Sequence, residues 1–234
     1  MRSWIFCAIL SLGLQFPALA QQEHVNRIDV FTAYSHLSTS NISLDQNGFN
    51  GSLGVNVTRW LALGTDFSVF KGTSNLSLAE TTLGSAAGQI VAQFPPVEQP
   101  LVLAGLSALR VPFDASTFTW AAGPQLNLRH WDKFTLFARP GLGLIHESAD
   151  LNLSALTALG ISPSELPGVA SHLTDTVVFY GGGGGFDVNA SKHVGARFSV
   201  DYVHSHLFSD LLRPRNTLRI SVGPTWRFGD ISKK

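Results

Sequence analysis

Aspartate and arginine recur at alternate positions in several short segments of this sequence, among neighbours that are mostly small or apolar. Residues two apart in an extended segment project from the same side, so these charges would meet if the segments enclosed a common interior. Arginine suits such an interior, because its fork of donors can bind more than one carboxylate and keeps its charge. We therefore predict a charge network of Asp29, Asp66, Arg129, Arg139, Asp187, Arg197, Asp201, Arg219 and Arg227.

Histidine, serine and glutamate offer a second kind of chemistry, in His36 with Ser38, in Glu147 and in the run 204–206. A serine hydroxyl becomes a nucleophile when an adjacent base takes its proton. The histidines lack the ligand spacing of a dedicated metal site, and Gly181 to Gly185 are not followed by the Lys-Ser or Lys-Thr of a phosphate-binding loop. We predict no catalytic residue, no metal site and no cofactor.

The first twenty residues are typical of an export signal: Arg2 is followed by an apolar stretch and by Ala18-Leu19-Ala20, a small-x-small cleavage site. We predict a signal peptide over residues 1–20 and one domain over residues 21–234. Cys7, the only cysteine, lies in the signal peptide, which excludes disulfides and cysteine ligands from the mature chain.

Charge and composition exclude a nucleic-acid partner. Removal of Arg2 leaves 15 basic residues against 16 acidic ones, with no basic tract to bind phosphates. Only 14% of the residues are charged, against about 25% in ordinary soluble domains.

Segments of about ten residues with alternating character, separated by turn-rich stretches, indicate β-strands that could cross a membrane. In Asn216 to Phe228 the even positions are apolar and the odd positions are small, polar or charged. Eight such segments are present: Arg27 to Leu37, Phe49 to Val57, Trp60 to Phe70, Ser116 to Arg129, Phe134 to His146, Thr176 to Val188, Val194 to His204 and Asn216 to Phe228.

The composition of the polar face of these segments distinguishes a membrane barrel from a soluble one. It is rich in Gly, Ala, Ser and Thr and nearly lacks Lys, which fits a narrow lumen better than a surface in water. We predict an all-β fold, an eight-stranded antiparallel up-and-down transmembrane β-barrel with long extracellular loops. The stretch 71–115 could add a short helix over the barrel mouth or two further strands, making ten.

Short and long connections alternate, and in outer-membrane barrels the short turns face the periplasm. The long connections are predicted near residues 38–48, 71–115, 147–175 and 205–215. Aromatic side chains favour the two membrane interfaces. We predict an inner belt of Trp131, Trp226 and Phe228 and an outer belt of Tyr34, Phe118, Trp120, Tyr180 and Tyr202.

The order of segments resembles the bacterial outer-membrane β-barrel domain family of the OmpA-like, eight-stranded type. The resemblance covers nearly all of the mature chain and depends on 28–35, on 47–50 leading into 56–61, on Gly123-Pro124 and on 219–229. It implies a protein of the cell outer membrane, surrounded by outer-membrane lipids, inserted by the barrel insertion machinery and usually without a known reaction.

Three functions remain open at this point. An eight-stranded barrel has an interior only just wide enough for its own side chains, which favours a plugged polar lumen and a structural or surface-interaction role, with the loops as the contact for an extracellular ligand. The alternatives are a lipid-modifying outer-membrane enzyme, in which the histidines and serines near the outer rim would act, and a small channel lined by the charge network.

Overall fold

The computed structural model describes residues 25–39, 44–77, 95–101, 104, 110–152, 154, 171–208 and 215–231. The predicted signal peptide, 1–20, lies outside this range and stays a prediction. Within the described part, no helix is long and apolar enough to cross a membrane.

Eight strands form one closed barrel in which each strand pairs with the next and β8 pairs with β1, every pair being antiparallel. This confirms the predicted fold with eight strands, and not ten. The strands are β1 (Asn26–Thr39), β2 (Leu44–Asn56), β3 (Leu61–Ser77), β4 (Arg110–Leu128), β5 (Phe134–Leu151), β6 (His172–Asn189), β7 (Val194–Ser205) and β8 (Arg215–Asp230).

Alternation along each strand separates a lumen side from a lipid side. In β8, Arg219 and Thr225 are buried, whereas Leu218 and Val222 are exposed on the outside of the barrel. An exposed apolar side chain is favourable here because the surrounding solvent is lipid, not water.

The strands continue further at the loop end than the sequence predicts. The β3–β4 ladder runs on to Ser77 and Arg110, where the predicted strands stop at Phe70 and begin at Ser116. The reason is that outward positions such as Thr73 and Asp114 are polar, so the apolar alternation is lost although the backbone pairing goes on.

The extension shortens the predicted long connections. The segments between strands are 78–109, 152–171 and 206–214, within the predicted stretches. The connection between β1 and β2 is only 40–43, so the prediction of a long connection over 38–48 is wrong. In the described part of 78–109, residues 99–101 and 104 are helical.

The opposite end carries three tight turns, 57–60, 129–133 and 190–193. Hydroxyl groups stabilise the backbone of two of these turns: the Leu61 amide donates to Thr58 Oγ1 at 3.0 Å and the Val194 amide donates to Ser191 Oγ at 3.1 Å. Such side-chain acceptors stabilise a turn by satisfying backbone donors. Both ends of the barrel chain, Asn26 and Asp230, lie at this end.

Candidate functional site: a closed lumen

Four charged side chains from four strands meet in the middle of the lumen, and we call them the central quartet: Asp66, Arg139, Asp201 and Arg219. Arg219 Nη2 lies 2.7 Å from Asp66 Oδ2 and 2.9 Å from Asp201 Oδ2. Arg139 Nη2 lies 2.9 Å from Asp201 Oδ2 and 3.1 Å from Asp66 Oδ2. Each arginine therefore binds both carboxylates, and the quartet is electrically neutral.

Asp201 and Arg219 are direct cross-strand neighbours of β7 and β8, whereas Asp66 lies on β3 and reaches Arg219 across the lumen. Arg219 Nη1 also donates to Ser68 Oγ at 2.7 Å. Buried ions are tolerated only when they are paired and hydrogen-bonded, and here each carboxylate has two charged partners.

A second group of charges, the inner network, lies toward the short turns. Arg197 binds Asp187 with two hydrogen bonds, at 2.6 and 2.9 Å, and Arg227 Nη2 reaches the same carboxylate at 2.9 Å. Asp29 lies 3.7 Å from Arg227 Nε and 3.9 Å from Arg129 Nη2. The inner network holds three arginines and two aspartates, so it carries one excess positive charge.

Uncharged side chains complete the inner network. Asn56 donates to Asp29 Oδ2 at 2.8 Å and accepts from Arg129 Nη2 at 2.9 Å. The Arg197 guanidinium also lies over two aromatic rings, 4.6 Å from the centre of Phe137 and 5.4 Å from that of Phe31. These cation–π contacts add to the stabilisation of the buried arginine.

The loop end of the lumen is closed by apolar side chains, a feature that the sequence analysis did not predict. Leu207, directly after β7, is buried against Ile145 and Phe179. Phe208 adopts a positive φ of 51°, and its amide donates to Asp175 Oδ2 at 2.5 Å. Among the described residues, this segment lies inside the outer mouth. Residues 78–94 of the 71–115 stretch, for which a short helix or two further strands were predicted, lie outside the described ranges. No strand signal marks Leu207 and Phe208, because they enter the lumen from a turn and not from a strand.

Glu147 is also buried in the lumen, although the sequence analysis considered it only as a catalytic candidate. Thr117 Oγ1 lies 2.8 Å from Gln46 Oε1 and 3.4 Å from Glu147 Oε2. The period of two along β5 would have placed Glu147 on the same side as Arg139, since the two are eight residues apart.

The family described as "Outer membrane protein beta-barrel domain" matches residues 5–228. The chain belongs to this family. The protein is therefore one of the cell outer membrane, as predicted from its sequence.

Several solved structures are similar to this outer-membrane barrel. The outer membrane protein OprG from Pseudomonas aeruginosa has a TM-score of 0.54 and 12% identity over 89% of this chain and 99% of its own. Neisserial surface protein A, NspA, has a TM-score of 0.50 and 14% identity over 86% and 96%. Ail, the attachment invasion locus protein of Yersinia pestis, has a TM-score of 0.46 and 16% identity over 87% and 99%. No curated protein sequence matches the chain.

The candidate catalytic residues of this barrel are not assembled into a site. His36 points outward and contacts Asn47 Oδ1 at 3.0 Å and Asp45 Oδ1 at 3.6 Å, whereas Glu147 points into the lumen. His204 and Ser205 are adjacent and therefore project from opposite sides of β7, Ser205 being buried. In the described part of the chain, no group of His, Cys, Asp and Glu could hold a metal ion.

The eight predicted interface aromatics all lie outside the lumen, and all but the half-buried Trp226 are exposed. Trp131 lies in the turn after β4, and Trp226 and Phe228 lie near the end of β8, so these three are at the short-turn end. The other five occupy the middle or the loop-end part of their strands: Tyr34, Phe118, Trp120, Tyr180 and Tyr202.

Proposed function

We propose that this barrel is non-enzymatic, that its lumen is closed, and that it acts through the integrity of the outer membrane and through surface interactions of its loops. The observation that carries the proposal is the series of obstructions along the lumen. Leu207, packed against Ile145 and Phe179, forms an apolar plug at the loop end. The central quartet and then the inner network follow it toward the short turns.

A passing ion would have to displace all three. The quartet is neutral and satisfies its own charges, so it offers no net attraction for an ion of either sign. An eight-stranded barrel leaves little room beside its own side chains. These points count against the alternative of a small channel.

The extended strands support a role at the cell surface. Strands β3 to β6 carry polar outward side chains at their loop ends, such as Thr73, Asp114, Asp150 and His172. His172 Nδ1 lies 2.6 Å from Asp150 Oδ1 across the β5–β6 ladder. These strands hold the loops predicted over 71–115 and 147–175 away from the membrane, where an extracellular ligand could reach them.

Conductance in planar bilayers tests the closed lumen. Folded protein, verified by its different gel migration before and after boiling, should give no stepwise current. Regular current steps from such protein, scaling with the amount inserted, would contradict the proposal.

A gene-deletion strain tests the two roles and the enzyme alternative together. Lipid mass spectra identical with and without the gene agree with a non-enzymatic protein, and a change in lipid A acylation would contradict it.

The deletion strain should also become more sensitive to detergent. A chain with 80–108 and 154–170 replaced by short Gly-Ser linkers should restore detergent resistance but not the binding of cells to immobilised glycans and matrix proteins.

A further inference from the structure

Gly141 lies near the middle of β5 on the lumen side, and a Cβ atom added there would meet nothing within 4 Å. Two lumen-facing glycines beside it are closely packed, Gly143 on the same strand and Gly181 opposite Gly141 on β6. A Cβ at Gly143 would lie 2.1 Å from the Trp120 carbonyl oxygen, and one at Gly181 would lie 2.1 Å from the Tyr202 carbonyl oxygen. Close packing therefore explains Gly143 and Gly181 but not Gly141, whose missing side chain leaves open space.

The space is part of a chamber of about 70 Å³ inside the barrel. Its loop-end wall is apolar and includes Ala121, Ile145, Phe179 and Val203. The central quartet lines its middle, and Asp29 and Arg197 of the inner network line it toward the short turns. Roughly 10–15 Å³ suffices for one water molecule. The chamber can therefore hold a molecule of a few non-hydrogen atoms, with an apolar body on one side and a polar group on the other.

Arg139 supplies the polar contact. Its side chain is 16% exposed, against 8% for Arg219. Nε and Nη2 of Arg139 donate to Asp201, whereas Nη1 has no hydrogen bond to the part of the chain that the structure describes. Because the quartet is neutral, this spare donor favours an uncharged ligand with a hydrogen-bond acceptor.

The wall beside the chamber has an interrupted ladder. Between the pairs Ala122↔Leu142 and Leu126↔Ala138, the β4–β5 register contains no paired residues. At the centre of this gap Pro124 of β4 stands opposite Pro140 of β5, since the register is the same on both sides. Proline has no amide hydrogen to donate, so both bonds of that pair are missing.

The two strands still touch, since a Cβ on Gly123 would come within 2.8 Å of the Pro140 carbonyl oxygen. Fewer backbone hydrogen bonds join the two strands there, so less free energy is needed to separate them. The β1–β8 ladder also lacks pairs beside Pro224, but neither Thr32 nor Gly223 lines the chamber.

We propose that the chamber beside Gly141 binds a small uncharged molecule with an apolar body and one hydrogen-bond acceptor, and that this molecule enters from the bilayer between Pro124 and Pro140. The apolar plug blocks the loop end and the inner network blocks the short-turn end. The bilayer itself concentrates molecules of this kind, because burial of their apolar surface is favourable.

Binding is tested with 2-propanol as the probe and the mature chain folded in detergent micelles. The backbone amide resonances of Gly141 and Gly183 should shift and saturate as the alcohol is added. Gly141→Leu fills the chamber and should weaken binding by about tenfold or more. Ala138→Leu adds bulk to the lipid side of the same strand and should leave the affinity unchanged.

If Gly141→Leu does not fold, Ala121→Val reduces the chamber from β4 and should weaken binding in the same way. Shifts that never saturate, or equal affinity in the filled and the parent chains, would overturn the binding site.

The entry route has its own test. Pro124→Val with Pro140→Val restores two amide donors to the gap in the β4–β5 ladder. The exchange of bound and free 2-propanol should therefore slow by about tenfold while the equilibrium affinity stays the same. Pro112→Val, at the loop end of β4 and outside the gap, is the control and should exchange at the parent rate. Unchanged exchange in the double variant would exclude the route between the prolines.

Discussion

Arg219 contacts both carboxylates of the central quartet and is buried in the lumen. Its removal would leave Asp66 and Asp201 with Arg139 as their one charged partner in the quartet. Breaking a buried ion pair from one side costs more than the pair contributes, because the remaining charge stays desolvated.

We expect Arg219→Ala to lower the free energy of unfolding by about 3–5 kcal/mol, measured by urea unfolding in lipid vesicles. Arg27→Ala removes an exposed arginine near the start of β1 and should change it by no more than about 0.5 kcal/mol. Equal effects of the two substitutions would mean that the quartet does not contribute to stability.

Some of the Asp–Arg pairs in the lumen could be predicted from the sequence and others could not. Neighbouring strands suggest Asp201 beside Arg219 and Asp29 beside Arg227, and the structure places both as cross-strand neighbours. The pair of Asp187 and Arg197 can also be inferred from the tight turn 190–193, which joins β6 to β7. The contacts across the lumen, such as Asp66 with Arg219, depend on barrel closure and tilt, which the alternation does not specify.

At the scale of single strands, alanine substitutions at two lumen-facing glycines are expected to change the stability in opposite directions. Gly223→Ala would place a Cβ 2.0 Å from the Thr32 carbonyl oxygen, so we expect a loss of stability of about 1–3 kcal/mol from overpacking. Gly141→Ala meets open space and should be neutral or stabilising by up to about 1 kcal/mol, since alanine loses less backbone entropy. Urea unfolding of both variants under one condition checks this. The reverse order would show that the space beside Gly141 is not present in the folded barrel.

The existence and order of all eight strands could be predicted because lipid outside and a crowded lumen inside impose the same period of two on each. The positions at which the strands end on the loop side could not be predicted. The outward side chains become polar there, while the pairing of β3 with β4 continues to Ser77 and Arg110. Leu207 and Phe208 enter the lumen through a single backbone reversal, for which the sequence has no period.

At the scale of the whole molecule, the two ends of the barrel differ in chemistry. The loop end is closed by apolar side chains, including Leu207, and its strands extend beyond the apolar band. The short-turn end has an open vestibule of about 1110 Å³, bordered by Arg129, Lys133, Lys192 and Arg227 as well as Asp29 and Asp187. This asymmetry fits a barrel whose loops face outward and whose short turns face the periplasm, the usual arrangement in outer membranes.

Orientation can be measured directly, because the mature chain predicted from the sequence contains no cysteine. Ser171→Cys and Ser191→Cys are matched changes at exposed serines, one at the loop end before β6 and one in the turn before β7. On intact cells a membrane-impermeant maleimide should label the cysteine at 171 and not the one at 191. After the outer membrane is permeabilised both should react, and the parent chain should remain unlabelled. Labelling of the cysteine at 191 alone on intact cells would show that the barrel has the opposite orientation. The segments 78–109 and 152–171 would then face the periplasm, where they could not bind an extracellular partner.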